Sequence, residues 1–309
     1  MKTKKRTVSN AKNIGQQITK NDFQLLKENY QKLYGEETQL IIPKDLIQKS
    51  LNLSEHVSGI RFMYGLKDTL NPYSKVLFLI PCSDLSHNLS TEAMLVEKGY
   101  YDHKGNLYSV QDVLLCMSQY VQHVSNNHTE FTYKEITRGN FYGKNSLESL
   151  LTTDCHFIEY TLGYLENHVS PIINSLDKNY KLINEVYMDF SEPCPNTCDN
   201  QLCTTALAVE TYGSNESELN QYRAFRDQHL LHLEGGSQLF EMYYFVSPVV
   251  AKILNSSKNK DAALQQFYVE EIVPFKQLLE AGNHQEAVNS LRNTLYSLFE
   301  EYEYSKLFL

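Results

Sequence analysis

Apolar residues recur every three or four positions near the start of the chain. In the segment Asp22–Tyr34 this spacing puts Phe23, Leu26 and Tyr30 on one face, which is typical of an amphipathic helix. Asn21 precedes the run and is a good N-cap residue, because its side chain can accept a backbone hydrogen bond. The pattern therefore predicts a first helix over residues 22–34.

Two continuous apolar runs follow, Gly59–Leu66 and Lys75–Cys82. Each is eight residues long and rich in aromatic or β-branched side chains, which favours a buried strand. The connecting segment Lys67–Pro72 suits a hairpin loop longer than the tightest turns. We therefore expect an antiparallel pair, and Glu185–Phe190 is a further candidate strand.

Longer periodic segments predict helices between these strands. One begins at the cap residue Ser109 and runs to about Val124. A second spans Asn145–His168, where Leu147, Ile158 and other leucines fall close to helical spacing before Pro171. This segment is expected to be the longest helix of the N-terminal part.

Only helical patterns occur beyond Asn200. Glycine pairs, prolines and capping residues divide this part into four predicted helices with short connections, which predicts a compact antiparallel bundle. The helices are expected over residues 215–233, 237–254 with a break at Pro248, 261–281 with a kink near Pro274, and 283–302.

The stretch Ser191–Asn200 is dense in turn-forming residues and marks a domain boundary. The predicted fold class is α+β, in which a mixed domain with a small antiparallel sheet and helices is followed by an all-α helical bundle. The expected parts are a flexible basic arm (1–20), an α+β domain (21–190), a Cys/Pro-rich linker (191–202) and a helical domain (203–309).

Composition narrows the class of protein. The chain has 309 residues, of which 42% are hydrophobic and 21% charged, as in globular proteins. It carries 28 basic and 37 acidic residues, so that nucleic-acid binding through a basic surface is not expected. No run approaches the roughly 18 apolar residues of a membrane span, and the polar segment 7–19 is unlike a signal peptide. We therefore expect a cytoplasmic protein.

Common catalytic signatures are absent from the sequence, which contains no GxxxxGK[ST], GxGxxG, HExxH or GxSxG motif. Tyrosine is the most frequent aromatic residue type, with 22 tyrosines, 14 phenylalanines and no tryptophan. Tyrosine has an apolar ring and a polar tip, and this combination suits half-buried surfaces and polar cavities.

One candidate metal site joins the three cysteines near the boundary to two histidines. Soft thiolates and imidazoles that converge can hold zinc or iron. The spacing matches no CxxC pair, so that a proline-rigid loop with incidental thiols is the favoured alternative. We therefore expect no cofactor, with zinc or iron as the other possibility. The candidate ligands are Cys194, Cys198, Cys203, His229 and His232.

A second candidate site lies in the predicted helix that follows. Arg223 and Asp227 are four residues apart and can pair along a helix. Arg226 points elsewhere, towards a loop carbonyl or an anionic ligand, and could polarise Tyr243. The alternative is a polar network that braces the bundle.

Several short motifs of the C-terminal part occur in the order found in the bacterial CFI-box C-terminal domain, which this part resembles. The resemblance implies a bacterial helical module without an established reaction. The motifs are Thr204–Gly213, Tyr222–Asp227 (YRAFRD), Gly235-Gly236, Tyr243-Tyr244 and Ser247-Pro248.

The chain departs from that family at two positions. Thr205 stands where the namesake cysteine is expected, and Ser237 stands where an arginine is expected. The N-terminal part is similar, more loosely, to small uncharacterised proteins of Bacteroidota-type bacteria. Gly59-Ile-Arg61 and Pro193–Cys198 carry that likeness.

Together these patterns predict a binding or adaptor protein with a helical interaction module. Its partner would be another protein, a small polar ligand or a second copy of the chain. The alternative is a metal- or thiol-dependent enzyme with its site at the domain junction. The predicted ligand-binding residues are Tyr212, Arg223, Arg226, Asp227 and Tyr243.

Overall fold

The computed structural model divides into two compact units. Unit 1 comprises residues 1–120 and 134–199, and unit 2 comprises residues 121–133 and 200–309. The described residues are 8–35, 39–71, 73–82, 99–128, 136–165, 168–189, 192–194, 208–209, 211–213, 216–240, 243 and 259–294.

Unit 1 contains two antiparallel sheets. Its strands are β1 (Gln16–Ile18), β2 (Gln39–Pro43), β3 (Gly59–Leu66), β4 (Lys75–Cys82), β5 (Tyr100–Asp102), β6 (Leu107–Tyr108), β7 (Gly139–Gly143), β8 (Phe157–Leu165), β9 (His168–Leu176), β10 (Leu182–Asp189) and β11 (Glu192–Cys194). One sheet has the order β1-β10-β9-β8-β2, and the other has the order β11-β7-β3-β4-β5-β6. The expected mixture of helices and antiparallel strands is therefore confirmed for the N-terminal part.

Helices accompany these strands and make up the regular structure described in unit 2. They are α1 (Lys20–Tyr34), α2 (Lys44–Leu51), α3 (Val110–Asn127), α4 (Lys144–Leu150), α5 (Glu216–Gln228), α6 (Lys260–Phe267) and α7 (Val273–Glu280). A 3-10 helix spans Val8–Asn13, another spans Leu230–His232, and a π-helix spans Tyr268–Ile272. Residues 236–240 and 284–294 are also helical.

The predicted β3–β4 hairpin is confirmed. Its register runs from Gly59 opposite Cys82 to Leu66 opposite Lys75. All eight residues of β3 are buried, as the continuous apolar run requires. The candidate strand at 185–190 is also confirmed over residues 185–189, as part of β10, and Phe190 lies outside the described residues.

Helix α1 is confirmed, but its predicted cap is wrong. The cap is Thr19, whose hydroxyl accepts a hydrogen bond from the Asp22 amide at 3.2 Å. The Asp22 carboxylate accepts in return from the Thr19 amide at 3.3 Å, which completes a capping box. Gly35 ends the helix at φ 72°, a left-handed conformation that favours glycine.

The helix predicted over residues 145–168 is wrong. Helix α4 ends at Leu150, and Phe157–Leu165 forms β8. Strand β8 pairs with β9 over its whole length. Ile158 and Leu162 are four residues apart, a spacing that places side chains on one face in a strand as well as in a helix. Both are buried, and so is Tyr160 between them.

The two halves of unit 1 exchange strands, since β1 and β2 join the sheet of the second half and β7 and β11 join the sheet of the first. In the first half β2 and α2 precede the β3–β4 hairpin, and in the second half β7 and α4 precede the β8–β9 hairpin. Strand β2 pairs with β8 of the second half, whereas β7 pairs with β3 of the first half. Each sheet is therefore completed by strands from the opposite half.

Lys44 and Lys144 make equivalent hydrogen bonds in this exchange. Each lysine begins the helix that follows the exchanged strand, and each donates through its backbone amide and its ammonium to carbonyls of the opposite half. The bonds are Lys44 N to His156 O at 3.0 Å, Lys144 N to Ser58 O at 2.7 Å, Lys44 Nζ to Thr152 O at 2.8 Å and Lys144 Nζ to Leu51 O at 3.2 Å.

Buried tyrosines join the two sheets of unit 1. The Tyr64 hydroxyl on β3 donates to Asn140 Oδ1 at 2.6 Å and lies 3.0 Å from the Tyr160 hydroxyl on β8. Since Tyr64 has one hydrogen to donate, Tyr160 donates to Tyr64. The Tyr142 hydroxyl on β7 donates to Pro171 O on β9 at 2.5 Å.

Unit 2 has a small apolar core of its own, built from Val209, Leu219 and Ile272. Its described regular structure is helical, but a closed four-helix bundle stays a prediction because 244–258 and 295–309 lie outside the described residues. A π-helix directly precedes α7 and Pro274, while the kink expected near Pro274 stays a prediction. Within the described residues, the helices are all too short or too polar to cross a membrane.

Candidate functional site

A buried carboxylate, Glu218, lies at the centre of a polar cluster in unit 2. Its side chain is 1% exposed. It accepts a hydrogen bond from the Tyr222 hydroxyl at 2.7 Å and longer ones from the Tyr268 hydroxyl at 3.3 and 3.4 Å. The Lys276 ammonium lies 3.3 Å from Oε2, so that the buried negative charge has a positive partner. We call these four residues the Glu218 cluster.

Two helical segments bring the Glu218 cluster together. Glu218 and Tyr222 are four residues apart on α5 and therefore lie on one face. Tyr268 begins the π-helix, and Lys276 lies on α7 directly after it. A π-helical turn holds one more residue than an α-helical turn and occurs often at functional sites. Here it changes the angular relation between Tyr268 and Lys276.

Aromatic rings enclose the Glu218 cluster. The Tyr222 ring lies 5.5 Å from the Phe275 ring, and Tyr268 lies 6.4 Å from Tyr212, measured between centroids. The Tyr212 hydroxyl donates to Asp261 O at 2.8 Å, which holds its ring in place. Tyr212, one of the residues predicted to bind a ligand, therefore borders the cluster.

Burial and the neighbouring carboxylate keep both tyrosines of the cluster protonated. Burial is the larger cause that raises the pKa of Tyr222, and the hydrogen bond to Glu218 raises it further. The pKa of Tyr268 is also raised, first by burial and then by the Glu218 charge. At neutral pH both hydroxyls are therefore hydrogen-bond donors, and neither is a nucleophile.

The arrangement is suited to binding. Glu218 already accepts from three side chains, while Tyr222, Tyr268 and Lys276 are each half-buried and present part of their surface to solvent. Hydrogen bonds to a charged group hold these rigid side chains in fixed positions. Tyrosine is enriched in protein interfaces because its ring contributes contact area and its hydroxyl contributes a polar contact.

The other predicted ligand-binding residues have different environments. Arg223 is exposed, and its guanidinium donates to Asn220 Oδ1 at 3.1 Å, one turn earlier on α5. Arg226 and Tyr243 are both half-buried. The side chain of Asp227 lies outside the described structure, so that its expected pairing with Arg223 stays a prediction.

Two of the five predicted metal ligands, Cys198 and Cys203, lie outside the described residues. Cys194 lies on β11 opposite Gly139, and its side chain is not among those described. The expectation that His229 and His232 are neighbours on one helix is wrong. Helix α5 ends at Gln228, and His232 belongs to the 3-10 helix that follows. In the described part of the chain, no group of three or more His, Cys, Asp or Glu residues could hold a metal ion.

The described thiols are poor candidates for catalysis. Cys82, Cys116 and Cys155 are buried and free of disulfides. Burial is the main cause that raises the pKa of both Cys116 and Cys155. Because the thiolate is the reactive form, these two thiols are less reactive than an exposed cysteine at neutral pH.

The sequence analysis did not single out Glu218 or Lys276. A signal for Glu218 was present, since this carboxylate lies in a predicted helix beside the apolar Leu219 and one turn before Tyr222. Buried carboxylates need a partner, so that this position could have been singled out. No local pattern predicts the π-helix that positions Tyr268.

Comparisons of the chain with known protein families, with curated proteins and with solved structures find no match. The resemblance to the CFI-box domain, which covers about residues 200–304, therefore stays a prediction.

Proposed function

We propose that this chain is a binding or adaptor protein that engages a protein partner through the tyrosines around Glu218. The observation that carries the proposal is the Glu218 cluster itself. A buried carboxylate fixes two half-buried tyrosines and one lysine at the surface of unit 2. Such preorganised side chains lose little conformational freedom when they bind.

The charge of unit 2 suggests a basic partner. Its residues include 15 acidic and 8 basic side chains, against 22 and 20 in unit 1. Glu270 and Glu280 are exposed on the helices that carry Tyr268 and Lys276, and Asp261 is exposed on α6, which precedes them. Complementary charge steers a partner to a surface and disfavours partners of the same sign. We therefore expect the partner to present lysine or arginine side chains.

A defined peptide pair tests the proposal. The probe is a nine-residue peptide in which arginine alternates with serine, and the comparison is the same peptide with glutamate in place of arginine. Calorimetry should detect binding of the arginine peptide to the full chain. Tyr268→Ala and Tyr212→Ala should each weaken that binding by at least about fivefold, as for an interface residue worth more than 1 kcal/mol.

Tyr73→Ala is the matched control, because Tyr73 is 87% exposed on the β3–β4 hairpin of unit 1. It should leave the affinity unchanged. Equal binding of the two peptides, or equal losses in Tyr73→Ala and Tyr268→Ala, would contradict the proposal.

A second copy of the chain is the other partner that the sequence predicts, through the C-terminal residues Leu307–Leu309, which lie outside the described residues. Light scattering at micromolar concentration distinguishes the two, since a strictly monomeric mass excludes self-association under those conditions.

A cytoplasmic location belongs to the same proposal, because buried free thiols such as Cys116 persist in a reducing compartment.

The alternative of a metal- or thiol-dependent enzyme rests on Cys194, Cys198 and Cys203 and stays a hypothesis. Metal analysis of the purified protein tests it. Stoichiometric zinc or iron that is lost in Cys198→Ser would favour that alternative over an adaptor without a cofactor.

A further inference from the structure

Two imidazole rings lie side by side in unit 2, apart from the Glu218 cluster. The centroids of His229 and His284 are 4.4 Å apart, and their planes are inclined by 43°. His229 follows the end of α5, and His284 begins the helical segment 284–294. Residues 55 positions apart in the chain are therefore brought together by the fold.

Phe225 supports both rings. Its centroid is 6.2 Å from that of His229 and 5.4 Å from that of His284. Phe225 is itself buried, whereas His229 is exposed and His284 is half-buried. The imidazole pair is thus held against a fixed aromatic wall and remains open to solvent on its other side.

The ring nitrogens of the pair have no competing protein partner in the described part of the chain, where neither imidazole takes part in a side-chain hydrogen bond. A neutral imidazole has one nitrogen lone pair available for a metal. Two nitrogens that bind one ion at about 2 Å lie roughly 3 Å apart. From a centroid distance of 4.4 Å, rotation of the exposed His229 ring about its side-chain bonds would bring one of its nitrogens within that separation of a His284 nitrogen.

We propose that His229 and His284 form a surface site for a late first-row divalent metal ion such as Ni²⁺, Cu²⁺ or Zn²⁺. Imidazole is a preferred ligand of these ions. Two protein ligands leave the remaining coordination positions to water, so that binding is reversible and modest in affinity. The acidic neighbours Glu280 and Glu286 add negative charge near His284 in the sequence, which favours a cation.

Calorimetric titration of the untagged, EDTA-treated full chain with Ni²⁺ tests this site. The wild-type chain should bind Ni²⁺ at one site. His229→Asn and His284→Asn should each weaken binding by at least about tenfold, because each removes one of two ligands. Circular dichroism confirms that each variant retains its fold.

His232→Asn is the matched control, because His232 is exposed three residues after His229. It should bind Ni²⁺ as the wild type does, and so should Cys198→Ser, which removes a thiol from the cysteine-rich segment. Unchanged binding in His229→Asn and His284→Asn would overturn the proposal. Equal weakening in His232→Asn, or a loss confined to Cys198→Ser, would overturn it as well.

A second measurement applies if a variant unfolds. In the wild-type chain, paramagnetic Ni²⁺ should broaden the imidazole proton signals of His229 and His284 at lower concentration than those of His232. Simultaneous broadening of all histidine signals would contradict a site formed by this pair.

Discussion

Unit 1 and unit 2 both place tyrosine hydroxyls next to buried polar groups, but the two networks differ in charge and exposure. In unit 1 Tyr64 and Tyr160 are almost completely buried and bind each other, and Tyr64 also binds Asn140. In unit 2 the corresponding partner is the carboxylate of Glu218, and the half-buried Tyr268 donates to it. The same residue type therefore binds neutral groups in one unit and a carboxylate in the other.

This difference separates a structural role from a binding role. A neutral network without solvent access specifies how two sheets pack, since any shift would leave a buried hydroxyl unsatisfied. A buried charge with half-buried donors constrains its neighbours in the same way but leaves their outer surface available to a partner. Tyrosine content alone, at 22 residues, does not distinguish these roles.

Alkaline pH should produce the largest difference between the two networks, measured as the loss of unfolding free energy in each unit. Burial raises the pKa of Tyr64, Tyr120 and Tyr160 well above the usual value. Above pH ~10 the unfolded chain releases these protons, whereas the folded unit retains them. The contribution of these groups to the unfolding free energy of unit 1 is therefore fully present below pH ~10 and is lost as the pH rises above it. At pH ~11 three such groups should cost unit 1 about 4 kcal/mol of unfolding free energy.

Urea denaturation monitored by circular dichroism between pH 8 and 11 checks this expectation, with hydrogen exchange to assign the loss to β3 and β8. Unit 2 should lose less than unit 1, because its described tyrosines with a raised pKa are two, Tyr222 and Tyr268, against three in unit 1. Equal losses in the two units would show that the number of such tyrosines does not set the loss. A stability of unit 1 that is independent of pH over this range would refute the burial argument.

Removing the cation of the Glu218 cluster should produce the next largest effect. Lys276→Met leaves a carboxylate buried without its positive partner, and breaking such a pair costs about 3–5 kcal/mol. The Lys276 side chain is 26% exposed, so that solvent compensates in part and about 3 kcal/mol is expected. Hydrogen exchange of the α5 amides measures this loss separately from unit 1.

Lys32→Met is the control for this substitution, since Lys32 is exposed on α1. It should change stability by no more than about 0.5 kcal/mol. If Lys276→Met were equally neutral, the carboxylate of Glu218 would be accommodated by its other partners, and the lysine would not be part of the site.

The strands of unit 1 could be predicted from the sequence where the pattern of apolar residues fits a buried strand and no helix. The hairpin of β3 and β4 follows from two continuous apolar runs. The segment Phe157–Leu165 could not be predicted, because the spacing of Ile158 and Leu162 suits a strand and a helix alike. Pairing with distant partners, β2 and β9, decides in favour of the strand.

The strand exchange and the Glu218 cluster could not be predicted from the sequence, because both depend on contacts between residues that are far apart in the chain. Lys44 and Lys144 make equivalent bonds, yet the sequences around them have little else in common. Lys276 reaches Glu218 from 58 residues away. Contacts of this range depend on tertiary packing, which local periodicity does not encode.

The sharpest test of the comparison removes one hydroxyl from each network. Tyr64→Phe leaves Asn140 and Tyr160 without a buried partner and should cost unit 1 about 2 kcal/mol, within the range for unsatisfied buried groups. Tyr268→Phe removes only the long bonds to Glu218, and water can replace a half-buried hydroxyl, so that about 0.5 kcal/mol is expected for unit 2. Hydrogen exchange of β3 and α5 amides reports the two units separately. A larger loss of stability in Tyr268→Phe than in Tyr64→Phe would contradict the comparison. The Glu218 cluster would then be the more rigid network, and its tyrosines would serve the interior of unit 2.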